Sequence, residues 1–275
     1  MMKKINLVAS LVLLLMSFEQ AAVAQSSLPL NTGYNHAGYA PYPTVIGTSS
    51  VQDNYWINIA SFPATTPPVA SSWVLEHPVG WWVPLPGSHW ISARNSVGSA
   101  PGTASDNPSY TIFRKCFCLL PGFKEAKLNF QVRADDNITI WFNTILNQVL
   151  APSPGQSNSP TPLSGGTSKG FVVGKNCLYA LVEDTTPGKM GFNLAGDVSA
   201  YGLLPTAAFG ENQSFEPCVC RKGRYIPTGE SLDAGANSRG TLRAADDDDR
   251  QVIREIVKAA EERRAARRRG TPLRN

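Results

Sequence analysis

Five cysteines are the residues best equipped for chemistry in this sequence: Cys116, Cys118, Cys177, Cys218 and Cys220. Cys116 and Cys118 stand at i and i+2 in an apolar, β-branched stretch at 110–119 that reads as a strand, so their side chains share a face. Phe117 and Leu119 take the other side, toward the core, which puts both thiols on the outer face. Two thiols that point the same way pair poorly with each other. The expectation is that Cys218-Val219-Cys220 lies back along that face and bridges to Cys116 and Cys118, clasping the root of the C-terminal tail to the domain. Each bridge would contribute about 2–4 kcal/mol. Cys177 is then the odd thiol. Free thiols and a four-thiolate metal site are the competing readings. Cys-x-Cys is tighter than the usual gap between thiolate ligands, so no metal is assigned.

Aromatic side chains offer a second kind of chemistry. Trp81-Trp82 sits between Gly80 and Pro84, and Tyr34, Tyr39 and Tyr42 follow one another in an N-terminal loop. Flat aromatic faces stack on sugar rings through the same contacts that fill cores. Adjacent residues of an extended segment face opposite ways, so at most one of Trp81 and Trp82 is expected to stand exposed as a platform. Trp81, Trp82, Tyr34 and Tyr39 are the expected ligand-binding set. The plainer alternative is that these rings pack beneath loops, as most aromatics do. Trp56, Trp90 and Trp141 read as core.

Oxygen ligands are scattered rather than clustered. Asp53, Asp135, Asp136, Asn137 and Asp184 fall in turn-like stretches, where a structural Ca²⁺ could draw on them. No dense Asp-x-Asp loop is present, so turn capping is the better reading and no cofactor is assigned. The three histidines, His36, His77 and His89, have no metal-ligand spacing. Nucleophile-elbow, phosphate-loop and dinucleotide patterns are missing, so no catalytic residue is assigned.

The elements that must carry these residues are short strands. Asp135-Asp136-Asn137 opens onto Ile138-Thr139-Ile140-Trp141-Phe142 and closes at Asn143: turn, strand, turn. Leu128, Phe130 and Val132 alternate along 126–132 and face one side. A turn at 120–123 separates that strand from 110–119. Residues 152–166 read as a loop, and 170–173 as a strand. With 23 Gly, 21 Pro and 17% charged residues, and short strands between frequent turn signals, the chain reads as an all-β sandwich with a linker and one C-terminal α-helix.

Residues 1–24 read as a signal peptide, with Lys3 and Lys4 ahead of an apolar run and Ala22-Val23-Ala24 as the cleavage site. The mature chain is expected to be secreted or held in the periplasm or cell envelope, with no transmembrane segment. The sandwich is expected over 25–220, a polar linker over 221–245 and a basic helix over 246–275. Val252, Ile253, Ile256, Val257 and Ala260 form a narrow apolar stripe on that helix. Residues 25–220 carry 9 Lys+Arg and 11 Asp+Glu, whereas 221–275 carry 14 and 9. The positive charge of the chain thus belongs to its tail. On an exported protein a basic tail points to an anionic surface met through 246–269, and nucleic acid is not the expected partner.

Several short patterns occur in a fixed order: Asn31-Thr32-Gly33, Asp53-x-x-Trp56, Trp90-Ile91-Ser92, Phe117-x-Leu119 with Gly122-Phe123, Ala134-Asp135-Asp136-x-Ile138-x-Ile140-Trp141-Phe142-Asn143, and Gly174-x-Asn176-x-Leu178. Together they resemble the galactose-binding-like jelly-roll domains of secreted bacterial proteins, over about residues 31–204. The resemblance implies a two-sheet sandwich that serves as a carbohydrate-binding or accessory module and is not catalytic. The chain departs from it at Asn143-Thr144, where a Gly often follows the Asn, in its cysteine pairs and in its basic helix. The combined reading is an exported binding module for a carbohydrate or cell-envelope glycan. The competing reading is a structural protein of the envelope whose helical tail carries the partner contact.

Overall fold

A computed structural model describes residues 25–35, 40–41, 51–62, 70–74, 83–93, 109–154, 161–184, 190–203, 218–221, 224–227 and 247–269. The strands in chain order are β1 (Gln25–Pro29), β2 (Tyr34–Asn35), β3 (Ala40–Pro41), β4 (Gln52–Phe62), β5 (Ala70–Val74), β6 (Ile91–Ser92) and β7 (Ser109–Asp135). They continue as β8 (Asn137–Phe142), β9 (Thr144–Pro154), β10 (Leu163–Thr167), β11 (Gly174–Asp184), β12 (Gly191–Leu203), β13 (Cys218–Arg221) and β14 (Arg224–Pro227). One helix, α1, covers Asp247–Arg268.

The long strand β7 organises the fold. Its first half pairs with β4 and β11, and its second half with β10 and β12. The first layer runs β5-β4-β7-β11-β8-β9, the second β10-β7-β12-β1, and short β6 joins β5 to β12. All these pairings are antiparallel, and the architecture is an all-β sandwich. The side chains confirm that the halves of β7 face each other across one core. Phe113, Phe117 and Leu119 from the first half share a cluster with Leu128, Phe130 and Val132 from the second. Phe192 of β12 meets Trp56 of β4 edge-on at 5.1 Å and Phe113 at 4.8 Å. Gly165 and Gly196 make the room that Phe130 fills, since a Cβ on Gly165 would lie 2.4 Å from its ring.

Four local expectations change. Residues 120–123 do not reverse the chain; β7 continues through them and bends, with Gly122 at φ 79°. Only Gly tolerates that conformation cheaply, and it serves a bend as well as a turn. The expected loop at 152–166 contains the end of β9 and most of β10, while the expected strand at 170–173 is irregular. The expected linker at 221–245 begins inside a paired hairpin of β13 and β14. Trp56, Trp90 and Trp141 are buried as expected.

Helix α1 is docked on the sandwich. Its stripe of Val252, Ile253, Ile256, Val257 and Ala260 joins a second cluster with Tyr110, Ile112, Trp141, Tyr179 and Leu181 on the outer face of the first layer. Arg263 Nε donates to Glu183 Oε2 at 3.1 Å from β11, a largely buried pair that fixes the helix's register. Burial, reinforced by the nearby Glu261, raises the Tyr110 pKa. Ile256 is fully buried at the centre of this contact. Replacing it with Asp places a charge in an apolar seam and is expected to release α1 while the sandwich stays folded. Hydrogen exchange should then show α1 amides losing protection while β7 and β11 keep theirs. Unchanged protection in α1 would contradict the docking.

Candidate functional site

Cysteine pairing is the first correction. Cys116 of β7 lies directly opposite Cys177 of β11, and the two form a disulfide with Cα atoms 4.1 Å apart. Cys116 therefore does not bridge to the tail, and Cys177 is not an odd thiol. The outer-face placement of Cys116 is right, since Cys116 and Cys177 both belong to the cluster beneath α1. The partner was misread because alternation along a strand says which face a residue takes, but not which strand lies alongside. Cys118 is buried and also disulfide-bonded. Cys218 and Cys220 fall on β13, which lies beside β11. Their side chains lie outside the described residues.

Trp81, Trp82 and Tyr39 also lie outside the described residues. Tyr34 is half-buried on β2, directly after the Asx-bound turn at Gly33. The segment that follows Trp81-Trp82 is described, and it is firmly held. Arg133 Nη1 donates to the Val83 carbonyl at 2.8 Å. Asn193, buried on β12, accepts the Leu85 N–H and donates to Ser88 Oγ at 2.9 Å and Thr32 Oγ1 at 3.1 Å. Residues 83–90 are thus fixed to the end of the second layer. Val83, its first described residue, is exposed.

The two outer faces of the sandwich differ. That of the first layer is closed by α1 and the Cys116–Cys177 bridge. Among the described residues nothing comparable covers that of the second layer. Lys127, Asn129 and Gln131 of β7 are exposed along it, alternating with buried Leu128, Phe130 and Val132. In register beside them stand Ala195, Asp197 and Ser199 of β12 on one side, and Ser164 and Gly166 of β10 on the other. Asp197 is steadied by a 2.7 Å hydrogen bond from Ser27 Oγ of β1. By strand geometry the face spans roughly 13 Å along β7 and roughly 14 Å across four strands. Its amides, hydroxyl groups and carboxylate can both donate and accept, as sugar hydroxyls require. Arg133 and Asn193 close its upper end beneath the held loop.

Sequence reading missed this face. Its signal was present as the complement of a pattern that was read: where Leu128, Phe130 and Val132 point inward, Lys127, Asn129 and Gln131 point outward. What the sequence could not provide is which outer face stays uncovered.

The most perturbed charges serve the core. Asp53 and Lys115 are both buried between the layers. The Asp53 carboxylate accepts N–H bonds from Gly33 at 2.7 Å, Tyr55 at 2.9 Å and Trp56 at 3.1 Å. Burial raises its pKa, against the pull of Lys115 and these donors. Burial lowers Lys115 to about 7, partly offset by Asp53. Lys115 Nζ lies 5.7 Å from the Tyr55 ring centre and 6.0 Å from that of Trp56. Asp53, expected in a turn, is thus a turn-capping residue.

Among the described residues no group of three or more His, Cys, Asp or Glu is arranged to hold a metal ion. Among them, too, no helix is long and apolar enough to cross a membrane. No protein-family model and no curated protein matches the sequence. Among solved structures, the chain is similar to a family 35 carbohydrate-binding module from an environmental isolate, at 16% identity over 46% of this chain and 83% of that one, with a TM-score of 0.27. It is also similar to a mutant of a family 29 carbohydrate-binding module, at 9% identity over 65% of this chain and 93% of that one, with a TM-score of 0.28.

Proposed function

We propose that this protein is an exported, non-catalytic module that binds a carbohydrate or cell-envelope glycan on the open face of its second layer. The observation that carries the reading is the asymmetry of the sandwich. A polar outer face is ordinary for an antiparallel sheet. Here the opposite face is covered by a docked helix, and this one presents exposed Asn129 and Gln131 in a row that ends at Arg133, which holds the Val83 carbonyl. Amide side chains on a rigid strand select hydroxyl geometry, and an aromatic ring beside them would add stacking area. Trp81, Trp82, Tyr34 and Tyr39 remain the proposed aromatic contacts. The Cys116–Cys177 bridge supports an oxidising, extracytoplasmic setting. We further propose that Cys118 bridges to Cys218 or Cys220, so that one strap holds the tail; non-reducing peptide mapping would identify it.

A glycan array probed with the full chain tests the main reading. Binding is expected, and Asn129→Ala with Gln131→Ala should weaken it by about tenfold or more, as loss of two hydrogen-bonding side chains implies. Trp81→Ala or Trp82→Ala should weaken it as well. An array with no retained glycan would remove the reading.

A second reading rests on α1. Its outward side carries exposed Arg250, Arg254 and Lys258, while its apolar stripe is consumed in docking. Contact with an anionic envelope surface would therefore be electrostatic and would weaken with salt. Loss of envelope pull-down in the Arg250→Glu, Arg254→Glu, Lys258→Glu variant, with the glycan array unchanged, would favour it.

A further inference from the structure

A bulge brings two exposed lysines to the outer face of the second layer. The pairing of β7 with β12 runs Ser199↔Lys127 and then Tyr201↔Lys124, so β7 uses three residues where β12 uses two. Strict alternation from Lys127 would turn Lys124 toward the core. The extra residue, with Glu125 at φ 53°, returns Lys124 to the outer face beside half-buried Tyr201. Bulges re-aim side chains in this way, and a non-glycine residue at positive φ carries a conformational cost. Lys124 and Lys127 are exposed, with backbones about 7 Å apart along the strand.

Their setting is selective. Among the described cations of the sandwich, Arg114, Lys115 and Arg133 are buried. Those that stand fully exposed are Lys124, Lys127 and Lys169, the last just past Thr167, which pairs with Leu128 beside Lys127. The acids near the pair are Glu125, at the bulged position itself, and Asp197, which is held by Ser27.

We propose that the ligand of this face is an acidic polysaccharide, whose carboxylates meet Lys124 and Lys127 while a sugar ring lies against Tyr201. This rests on the carbohydrate reading and narrows it. Two ammonium groups on neighbouring rows of a rigid sheet match charges repeated along an extended polymer. Tyr201, in register with Lys124, supplies apolar surface beside the charges.

Affinity electrophoresis and titration calorimetry of the full chain with polygalacturonate, dextran sulfate and neutral dextran test the proposal. Polygalacturonate is expected to bind, more weakly as salt rises, and Lys124→Gln with Lys127→Gln should weaken it by about tenfold or more. Both side chains are exposed, so the variant keeps its core. Equal binding of neutral dextran, exclusive binding of dextran sulfate, or polygalacturonate binding unchanged in the double variant would each overturn it. Neutral glycans retained through Asn129 and Gln131 but indifferent to the lysines would overturn the acidic ligand and leave the carbohydrate reading standing. Retention of no glycan would remove both.

Discussion

Asp53→Ala is expected to destabilise the protein by about 3–5 kcal/mol, the usual cost of breaking a buried ion pair from one side. The substitution does two things at once. It leaves the N–H groups of Gly33, Tyr55 and Trp56 without the carboxylate that accepts all three. It also leaves Lys115 buried without the charge that supports its ammonium form. Lys115→Met should cost less, because the Asp53 carboxylate keeps its backbone donors. The double variant Asp53→Ala, Lys115→Met should cost less than the sum of its parts, since each single change strands the other group. Urea unfolding of the four proteins measures this, and additive losses would mean the pair is not coupled.

The same pair predicts a pH dependence. Lys115 stands at about 7 in the folded protein against an ordinary 10.5. Between those values the unfolded chain binds a proton that the folded chain lacks, so stability rises with pH across that window. Below it the burial penalty on the charged lysine is present in full. In Lys115→Met this contribution to the slope should disappear.

Replacing Cys116 and Cys177 together with Ala is expected to cost about 2–4 kcal/mol. The bridge closes a loop with a sequence separation of 61. Loops of that length give a large chain-entropy effect, because the cross-link removes many unfolded conformations. The native strands are already aligned at this point, with Cys116 opposite Cys177 in register, so the folded state should change little. The loss should therefore appear with a larger denaturant slope, as the freed unfolded chain exposes more surface. A loss below about 1 kcal/mol would mean that the unfolded chain is already restrained there.

Much of the scaffold was legible because it depends on local periodicity. Alternation placed Phe117 and Leu119 inward and Cys116 outward, and the clusters agree. The stripe from Val252 to Ala260 foretold which side of the helix would be covered, though not what would cover it. Asp135-Asp136-Asn137 opens β8 and serves no cluster of metal ligands among the described residues. The passage at 120–123 was misread because Leu120-Pro121-Gly122-Phe123 permits both a turn and a bend. Pairing with β11 before it and β12 through and beyond it selects the bend, and those partners lie far away in sequence.

Local pattern was enough for the all-β class, the inward and outward faces of 110–119 and 126–132, and the apolar side of the helix. These follow from side-chain periods of two and 3.6 residues, which are properties of the local chain. Tertiary structure alone decided that Cys116 meets Cys177, that Lys115 finds Asp53, that Lys124 joins Lys127 on one face, and that the helix seals one side of the sandwich and leaves the other open. Each depends on strand order, register or a bulge. Those are fixed by the packing of distant segments, and no local pattern encodes them.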